Sequence, residues 1–262
     1  MNEPTIAVVA TLHDPDSKEG PLAEPFMARW MARYREMVIL TSPQGSGETG
    51  QMLAAYGARV IEDRRPQGVE RMGLVRLWAL QAAAEQEHPY FLLIDFDRLI
   101  HWEAHYPDEL RQVEQMIPNY DFLVLGRTHR AFESHPEAQR ETERLINAAF
   151  VSTFGEPWDI TGGARGVSAA AVAALSTHSR CENIGVDGEW PVLCHRLGLR
   201  VGHFAAEGLE YETADRFATE IAELGYQAWL EKYINTPRSW EKRLRLAYQI
   251  VAAIREACER RP

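Results

Sequence analysis

The stretch Tyr90-Phe91-Leu92-Leu93-Ile94-Asp95-Phe96-Asp97 joins an apolar run, long enough for one buried strand, to two carboxylates spaced two residues apart. Residues i and i+2 of a strand point to the same side, so Asp95 and Asp97 are predicted to converge at the carboxyl end of a sheet strand. Open α/β sheets bind their ligands at that edge. Two carboxylates there suit Mg²⁺ or Mn²⁺ that is also held by phosphate oxygens. The alternative interpretation is a strand-end turn in which Asp97 caps a helix.

The composition predicts a globular protein that binds small molecules. With a net charge of -10 and a pI of about 5.4, broad binding to nucleic acid is disfavoured, because that needs a basic surface. Three widely spaced cysteines without a C-x-x-C motif argue against a disulfide framework or zinc cluster and fit a reducing cytoplasm. We find no signal-peptide pattern and no apolar run of the roughly 20 residues that span a bilayer. The expectation is a cytoplasmic protein without a membrane anchor.

Outward from residues 90–97, strand and helix patterns alternate in the first half of the chain. Such alternation predicts an α/β fold with a mostly parallel sheet flanked by helices. The predicted strands are Ile6–Leu12, Met37–Thr41, Arg59–Glu62 and Tyr90–Ile94, and the predicted helices are Leu22–Glu36, Thr49–Tyr56 and Val69–Gln86.

The second half is less regular and ends in helices. Residues 160–166 are glycine-rich and are predicted to form a turn before a helix. Apolar residues between Trp240 and Cys258 recur at alternating spacings of four and three, which indicates a helix that packs on the rest of the chain or on a dimer partner. We expect an α/β domain over residues 1–212 and a helical extension over 213–262. Further predicted elements are helices at 107–117, 136–153, 168–175 and 187–197, and strands at 122–125 and 200–204.

The order of these parts resembles the GT-A nucleotide-sugar glycosyltransferases, and most of all the family-2-type enzymes and the glucosyl-phosphoglycerate and mannosylglycerate synthases. The resemblance spans roughly residues 5–212 and implies a Rossmann-like GT-A fold. It also implies a metal-dependent enzyme that transfers a sugar from a nucleotide-diphosphate sugar to a small soluble acceptor. The segments that carry it are WALQAAAEQEHPYFLLIDFD at 78–97, DFLVLGRTHR at 121–130, DITGGARGVSAAAVAAL at 159–175 and DGEWPVLCHRLGLRVGHF at 187–204.

Two places depart from the pattern of that family. The second strand ends in Thr41-Ser42-Pro43, where the family usually has an aspartate that contacts the nucleobase. The first strand is followed by His13-Asp14, where an Asn-Glu pair is usual. Both differences leave the base of the nucleotide open.

The resemblance implies roles for the acidic and histidine residues. Asp97 would ligate Mg²⁺ or Mn²⁺, Asp95 would contact the ribose or the metal through water, and His203 would be a third metal ligand. Imidazole suits Mn²⁺ better than Mg²⁺. The alternative for His203 is a half-buried histidine that hydrogen-bonds a backbone carbonyl.

Asp187 and Glu189 are the candidate catalytic residues. In an inverting enzyme one of them would deprotonate the acceptor hydroxyl. Acidic residues also favour the first turn of a helix because of the helix dipole, and a retaining enzyme needs no such base.

Other residues are candidates for holding the donor. Guanidinium groups match phosphate oxygens, and backbone N–H groups of a glycine turn bind sugar hydroxyls or phosphate. The alternatives are solvated surface charge and an ordinary loop. Besides Asp95, the donor-binding candidates are Thr11, His13, Arg71, Arg76, Gly162 and Gly163.

Two other functions remain open. One is a non-catalytic nucleotide- or sugar-binding protein on the same fold. The other is a nucleotidyltransferase, although residues 12–20 lack the glycine-rich, lysine-containing signature usual in that class.

Overall fold

The computed structural model describes residues 6–45, 47–66 and 68–260. Strands and helices alternate through its first half, as the sequence predicts. The strands are β1 (Ile6–Leu12), β2 (Glu36–Thr41), β3 (Arg59–Glu62), β4 (Tyr90–Asp95), β5 (Phe122–Arg127), β6 (Ala164–Ser168) and β7 (Val201–Ala206). The helices are α1 (Glu19–Arg33), α2 (Gly47–Ala55), α3 (Met72–Ala84), α4 (Phe96–His105), α5 (Pro107–Met116), α6 (His129–Glu133), α7 (Glu137–Phe154), α8 (Ala169–His178), α9 (Val186–Arg196), α10 (Ala218–Leu224), α11 (Tyr226–Trp229) and α12 (Pro237–Glu259).

These strands form one mixed, mostly parallel sheet in the order β3-β2-β1-β4-β6-β5-β7. β1 runs parallel to β2 and β4, β2 to β3, and β5 to β7, whereas β6 is antiparallel to β4 and β5. The register sets Thr11 beside Asp95, and Leu12 beside Thr41. The carboxyl ends of β1, β2 and β4 therefore meet at one edge, and the predicted α/β fold is confirmed.

The sheet is covered by helices on both faces. Alternate residues of one strand point to opposite faces, so Val8 packs with Trp30 of α1 and Trp102 of α4, while Val9 packs with Leu80 of α3. Each face of the sheet thus has its own apolar core, and both cores extend to the ends of β1 and β4. This packing holds the carboxyl ends of these strands, with Thr11 and Asp95, in place.

α12 closes the fold by packing on α7 and α9. Its residues Ala247, Ile250 and Ile254 are buried in the same core cluster as Trp190 of α9. The predicted helical seam thus contacts the chain's own α/β part, while Leu244 and Tyr248 of the same helix are exposed. Among the described residues, no helix combines the length and the apolar character needed to cross a membrane.

Two elements differ from the prediction. α4 begins directly after Asp95, so Asp95 ends the strand and Asp97 lies in the first helical turn. The strand-to-helix turn, and not strand alternation, therefore brings the two carboxylates to one edge. The last part of the predicted turn at residues 160–166 is the start of the strand β6, and the predicted helix follows that strand as α8. Glycine is depleted in strands and arginine is rarely buried, so Gly166 and Arg165 gave no strand signal, although the strand lies fully buried between β4 and β5.

Candidate functional site

A cavity of about 890 Å³ opens at the carboxyl ends of β1, β2 and β4. Asp95 and Asp97 lie on its wall together with Thr11 and His13, as the sequence predicts for a ligand site at this edge. The loop after β2 supplies Ser42, Pro43 and Gln44, the segment after β3 supplies Arg64 and Arg65, and more distant parts of the chain supply Glu19, Arg98, Glu212, Arg216 and Lys242.

Asp95 is fixed by hydrogen bonds from two sides. The Thr11 hydroxyl donates to its Oδ1 at 3.1 Å, and Nη2 of Arg76 donates to its Oδ2 at 3.3 Å. The Arg98 guanidinium lies 3.8 Å from the same Oδ2. Thr11 and Arg76, predicted as donor-binding residues, thus lie behind Asp95 and hold its carboxylate at the cavity wall.

Asp97 has fewer partners. Its Oδ1 accepts a bond from the Arg98 backbone N–H at 2.9 Å, and its Oδ2 lies 3.4 Å from Arg216. Burial, followed by the negative charges of Glu212 and Asp95, raises the pKa of Asp97 to about 7. Arg216 and Arg98 offset only part of this effect, so the Asp97 carboxylate lies where negative charge is in excess.

Glu19 and Glu212 share that excess. Burial and the charge of Asp97 raise the pKa of Glu19 to about 8, although Arg216 lies 2.9 Å away. Oε1 of Glu212 lies 3.5 Å from Arg98, and its Oε2 is buried without a hydrogen-bond partner among the described residues. We call Asp97, Glu19 and Glu212 the cation-deficient cluster. A buried, unpartnered carboxylate oxygen beside further carboxylates fits a hard divalent cation, which prefers oxygen ligands.

His203 lies at a different place from the cation-deficient cluster. It is on β7, opposite Val124, and its ring stacks on Trp158 with 5.6 Å between the ring centroids. Burial lowers its pKa, and Asp159 is its nearest acidic neighbour. His203 is not among the residues that line the cavity of Asp95 and Asp97. The described geometry therefore does not bring His203 together with the predicted metal ligands.

The two candidate catalytic carboxylates have different surroundings. Oδ1 of Asp187 accepts bonds from Arg76 at 2.8 Å and from Arg165 at 2.9 Å. Glu189 is 1% exposed and accepts bonds from the Ser179 hydroxyl and from backbone N–H groups of the loop before α9. Glu189 thus anchors that loop and does not line the cavity of Asp95 and Asp97. Asp187 lines a second, smaller cavity, and Glu189 does not.

The smaller cavity, of about 250 Å³, adjoins Asp95 on the side of α7 and α12. Three guanidinium groups face it, from Arg76, Arg98 and Arg243. The carboxylates of Asp95, Asp187 and Glu143 line the same cavity, and Thr161 completes a polar wall that suits a small charged molecule.

Gly162 and Gly163 support Arg98. The carbonyl of Gly162 accepts a bond from Nη1 of Arg98, and Gly163, at a φ of 76°, lies against the same guanidinium. An added Cβ on Gly162 would lie 2.3 Å from the Leu125 carbonyl, so only glycine fits there. These contacts position a cationic side chain beside Asp95, which differs from the predicted turn that presents N–H groups to a ligand.

The predicted arginine pair is also divided by the fold. Arg76 is buried between Asp95 and Asp187, whereas Arg71 is half exposed and lies 3.9 Å from Glu182 at the surface. Arg71 is not among the residues lining the cavity, while Arg64 and Arg65 are. Arg65 is held over the Trp78 ring at 3.8 Å and by Asp63.

Sequence reasoning missed Arg98, Glu19, Glu212, Arg216 and Lys242. Arg98 directly follows Asp97, and this adjacency was the one available signal. The others come from α1, from the 3-10 turn Glu212–Phe217 and from α12, whose sequences show no pattern that points to the site.

No family model matches the chain, and no curated protein sequence matches it. Solved structures do. A crystal structure of M. tuberculosis glucosyl-3-phosphoglycerate synthase matches with a TM-score of 0.59 at 14% identity, over 99% of this chain and 83% of that one. The same enzyme in complex with Mn²⁺, uridine-diphosphate-glucose and phosphoglyceric acid matches with a TM-score of 0.57 at 17% identity, over 99% and 81%. Its complex with uridine-diphosphate matches with a TM-score of 0.57 at 16% identity, over 99% and 82%. The chain therefore has the GT-A fold that the sequence resemblance implied.

Proposed function

We propose that this chain is a metal-dependent glycosyltransferase that transfers a sugar from a nucleotide-diphosphate sugar to a small acceptor. The observation that carries the proposal is the cation-deficient cluster at the carboxyl edge of the sheet, beside a cavity of about 890 Å³. Support comes from the fold, because a similar structure was solved with Mn²⁺ and uridine-diphosphate-glucose.

The larger cavity is the proposed donor site. His13 and Ser42 line it near the ends of β1 and β2, where the nucleoside would lie, and Arg64 and Arg65 supply positive charge for phosphate oxygens. Thr41-Ser42-Pro43 contains no carboxylate for the base. Uridine diphosphate, the ligand of the similar structure, is the first nucleotide to test.

Asp97 and Glu212 are the residues that would hold Mn²⁺ or Mg²⁺. A cation there would neutralise the charge that develops on the leaving diphosphate. Asp95, fixed by Thr11 and Arg76, would accept a hydrogen bond from the ribose or from a metal-bound water. Arg98 and Arg216 flank these carboxylates and limit their mutual repulsion.

The smaller cavity is the proposed acceptor site. Arg76, Arg98 and Arg243 line it together with the carboxylates of Asp95, Glu143 and Asp187, so a carboxylate or phosphate of the acceptor would bind a guanidinium group in place of one of these ion pairs. Since Oδ1 of Asp187 is occupied by two buried arginines, we assign Asp187 the role of positioning Arg76 and Arg165 and not of removing a proton. This assignment favours a reaction that needs no general base from Asp187 or Glu189.

Calorimetric titration of UDP and GDP, with and without Mn²⁺, tests the proposal. We expect Mn²⁺ to tighten nucleotide binding in the wild-type chain and to have no such effect in Asp97→Asn. The matched control is Asp108→Asn, whose carboxylate is exposed on α5 and should leave the Mn²⁺ effect unchanged. Equal binding with and without Mn²⁺, in all three proteins, would instead identify a non-catalytic binding protein.

Transfer itself is measured by the release of UDP from UDP-glucose in the presence of small anionic acceptors. Phosphoglyceric acid, a ligand of the similar structure, is the first to test, with neutral glycerol as its control. An acceptor-dependent release that Asp97→Asn lacks is the expected result.

A further inference from the structure

Two histidines and an aspartate meet outside the proposed active site. His101 and His105 are four residues apart on α4, so they lie on one face of the helix. Asp215, in the 3-10 turn Glu212–Phe217, faces them. One ligand atom from each of the three residues lies within 4.8 Å of the other two.

His101 is the centre of this group. It is buried, its Nδ1 lies 2.7 Å from Oδ2 of Asp215, and its Nε2 lies 3.2 Å from Oε1 of Glu210. Glu210 is in turn held by the Tyr106 hydroxyl at 3.0 Å. A histidine whose second nitrogen is bound by a carboxylate is the usual arrangement of metal ligands in proteins, because the carboxylate fixes the ring and its tautomer.

His105 is the second nitrogen donor. Its ring centroid lies 4.5 Å from that of His101, its side chain is exposed, and no hydrogen bond among the described residues uses its ring. No hydrogen bond among the described residues therefore explains why His105 lies beside His101. The ring nitrogens of His105 are free to bind a cation.

We propose that His101, His105 and Asp215 form a second divalent-cation site, selective for Zn²⁺ and similar transition metals, with Glu210 as the outer carboxylate. Zn²⁺ takes nitrogen and oxygen ligands at about 2.0–2.2 Å in a tetrahedron, which sets its ligand atoms roughly 3.3 Å apart. All three ligand atoms lie within 4.8 Å of one another, and Nδ1 of His101 and Oδ2 of Asp215, which are 2.7 Å apart, would separate slightly around the ion. Water takes the fourth position, since His105 and Asp215 reach the surface.

This site differs in chemistry from the cation-deficient cluster. Imidazole favours zinc and its neighbours in the transition series, whereas carboxylates alone favour Mg²⁺ and Mn²⁺. Asp97, His101 and His105 follow each other at four-residue steps, each about 6 Å along the axis of α4. The two sites are thus neighbours on one helix, with different donor atoms.

The proposed zinc site lies next to the segment that carries Glu212 and Arg216. Glu210 and Asp215 flank Glu212, and Arg216 follows directly. A cation held by α4 and Asp215 would fix this segment against the helix that carries Asp97. This consequence depends on the proposed function, but binding at the histidine site does not.

The simpler account is an ion pair between a protonated His101 and Asp215. That account gives no role to His105, so His105 distinguishes the two. His178 is the matched control, because it is also an exposed histidine in the last turn of a helix.

The experiment is calorimetric titration of ZnCl₂ into Asp97→Asn, a background that weakens the oxygen-ligand cluster. We expect one Zn²⁺ per chain, an affinity at least tenfold weaker when His105→Ala is added, and no change with His178→Ala. Co²⁺ should give the visible absorption of a tetrahedral site. His105→Ala should abolish this absorption, and His178→Ala should leave it unchanged. Far-ultraviolet circular dichroism checks that each variant is folded.

Equal Zn²⁺ affinity and stoichiometry with and without His105→Ala would overturn the proposal, and so would an equal Co²⁺ spectrum. The same titrations of the wild-type chain saturated with Mn²⁺ give a second measurement that does not need the Asp97→Asn background. Failure of the glycosyltransferase proposal would leave these results unaffected, because none of them measures nucleotide binding or transfer.

Discussion

Two buried groups of carboxylates and arginines at the same end of the sheet differ in how well their charges are satisfied. In the cation-deficient cluster, Asp97 has a raised pKa and Glu212 has an unpartnered oxygen. In the other group, which we call the saturated cluster after its fully bonded carboxylate, Asp159 accepts bonds from Arg127 at 2.7 and 3.0 Å and from Asn147 and the Thr161 hydroxyl. Nη1 of Arg127 is the donor there that has no partner on Asp159. Burial alone would raise the pKa of Asp159, but the charge of Arg127 and these bonds hold it well below its usual value.

The difference shows that burial alone does not decide whether a carboxylate is structural or free to bind a ligand. The number of hydrogen-bond donors around it does. A buried carboxylate whose two oxygens both accept hydrogen bonds fixes two parts of the chain together, and Asp159 links β5 to the start of β6 in this way. A buried carboxylate short of donors is unfavourable unless something else binds it, and such groups cluster at functional sites. Single substitutions in the two clusters test this contrast.

Asp159→Asn should have the largest effect, and the effect should be on stability. Removing one charge of a buried, hydrogen-bonded pair costs about 3–5 kcal/mol, because Arg127 is left with Glu143 as its remaining carboxylate partner among the described residues. Urea denaturation measures the free energy of unfolding, and exposed Asp108→Asn should change it by less than about 0.5 kcal/mol. A loss as small as that of the control would show that the cluster is not saturated.

Asp97→Asn should have the opposite effects, a loss of activity without a loss of stability. Loss of an electrostatic stabiliser of the transition state lowers the rate by about 10²–10³-fold, so sugar transfer should fall by that amount. The free energy of unfolding should be unchanged or higher, since the amide removes a charge that burial and Glu212 disfavour. Turnover and urea denaturation are measured on the same preparation. A stability loss like that of Asp159→Asn would contradict the contrast between the clusters.

The pKa of Asp97 also predicts a pH dependence. The folded value is about 7 and the ordinary value is 3.8, so between these values the folded chain holds a proton that the unfolded chain has lost. The free energy of unfolding is therefore higher at low pH, and it falls as the pH rises from about 3.8 to about 7. A cation must displace the same proton, so Mn²⁺ affinity should rise about tenfold between pH 6 and pH 8. Calorimetry at both pH values measures it, and Asp97→Asn should remove most of the rise.

Arg71→Ala should have the smallest effect. Its exposed ion pair with Glu182, at 3.9 Å, belongs to a class of pairs worth about 0–1 kcal/mol, and its side chain lies away from both clusters. Nucleotide affinity should stay unchanged in Arg71→Ala and fall several-fold in Arg64→Ala, since Arg64 lines the donor cavity. Equal losses of UDP affinity in the two variants, measured by calorimetry, would restore the role that the sequence suggested for Arg71.

The sequence predicted the first half of the fold well. β1 and β3 have the predicted bounds, because short β-branched runs between turn signals have few other solutions. α4 was missed although Phe96, Leu99 and Ile100 have helical spacing, because Asp95 and Asp97 were both assigned to the end of the strand. β6 was missed because its Arg165 is unusual in a buried strand. Its bonds to Asp187 of α9 and to the backbone carbonyls of Ile160 and Ala164 make it favourable there.

What the sequence determined by itself is the alternation of strands and helices and the place of Asp95 and Asp97 at the end of a buried strand. These depend on local pattern, which neighbouring residues set. Only the tertiary structure decided that Glu212 and Arg216 meet Asp97, that Asp187 is held by two arginines, and that Glu189 anchors a loop. The physical reason is that the charge state of a carboxylate depends on burial and on donors from distant elements, and residue spacing along the chain contains no record of which elements will pack together.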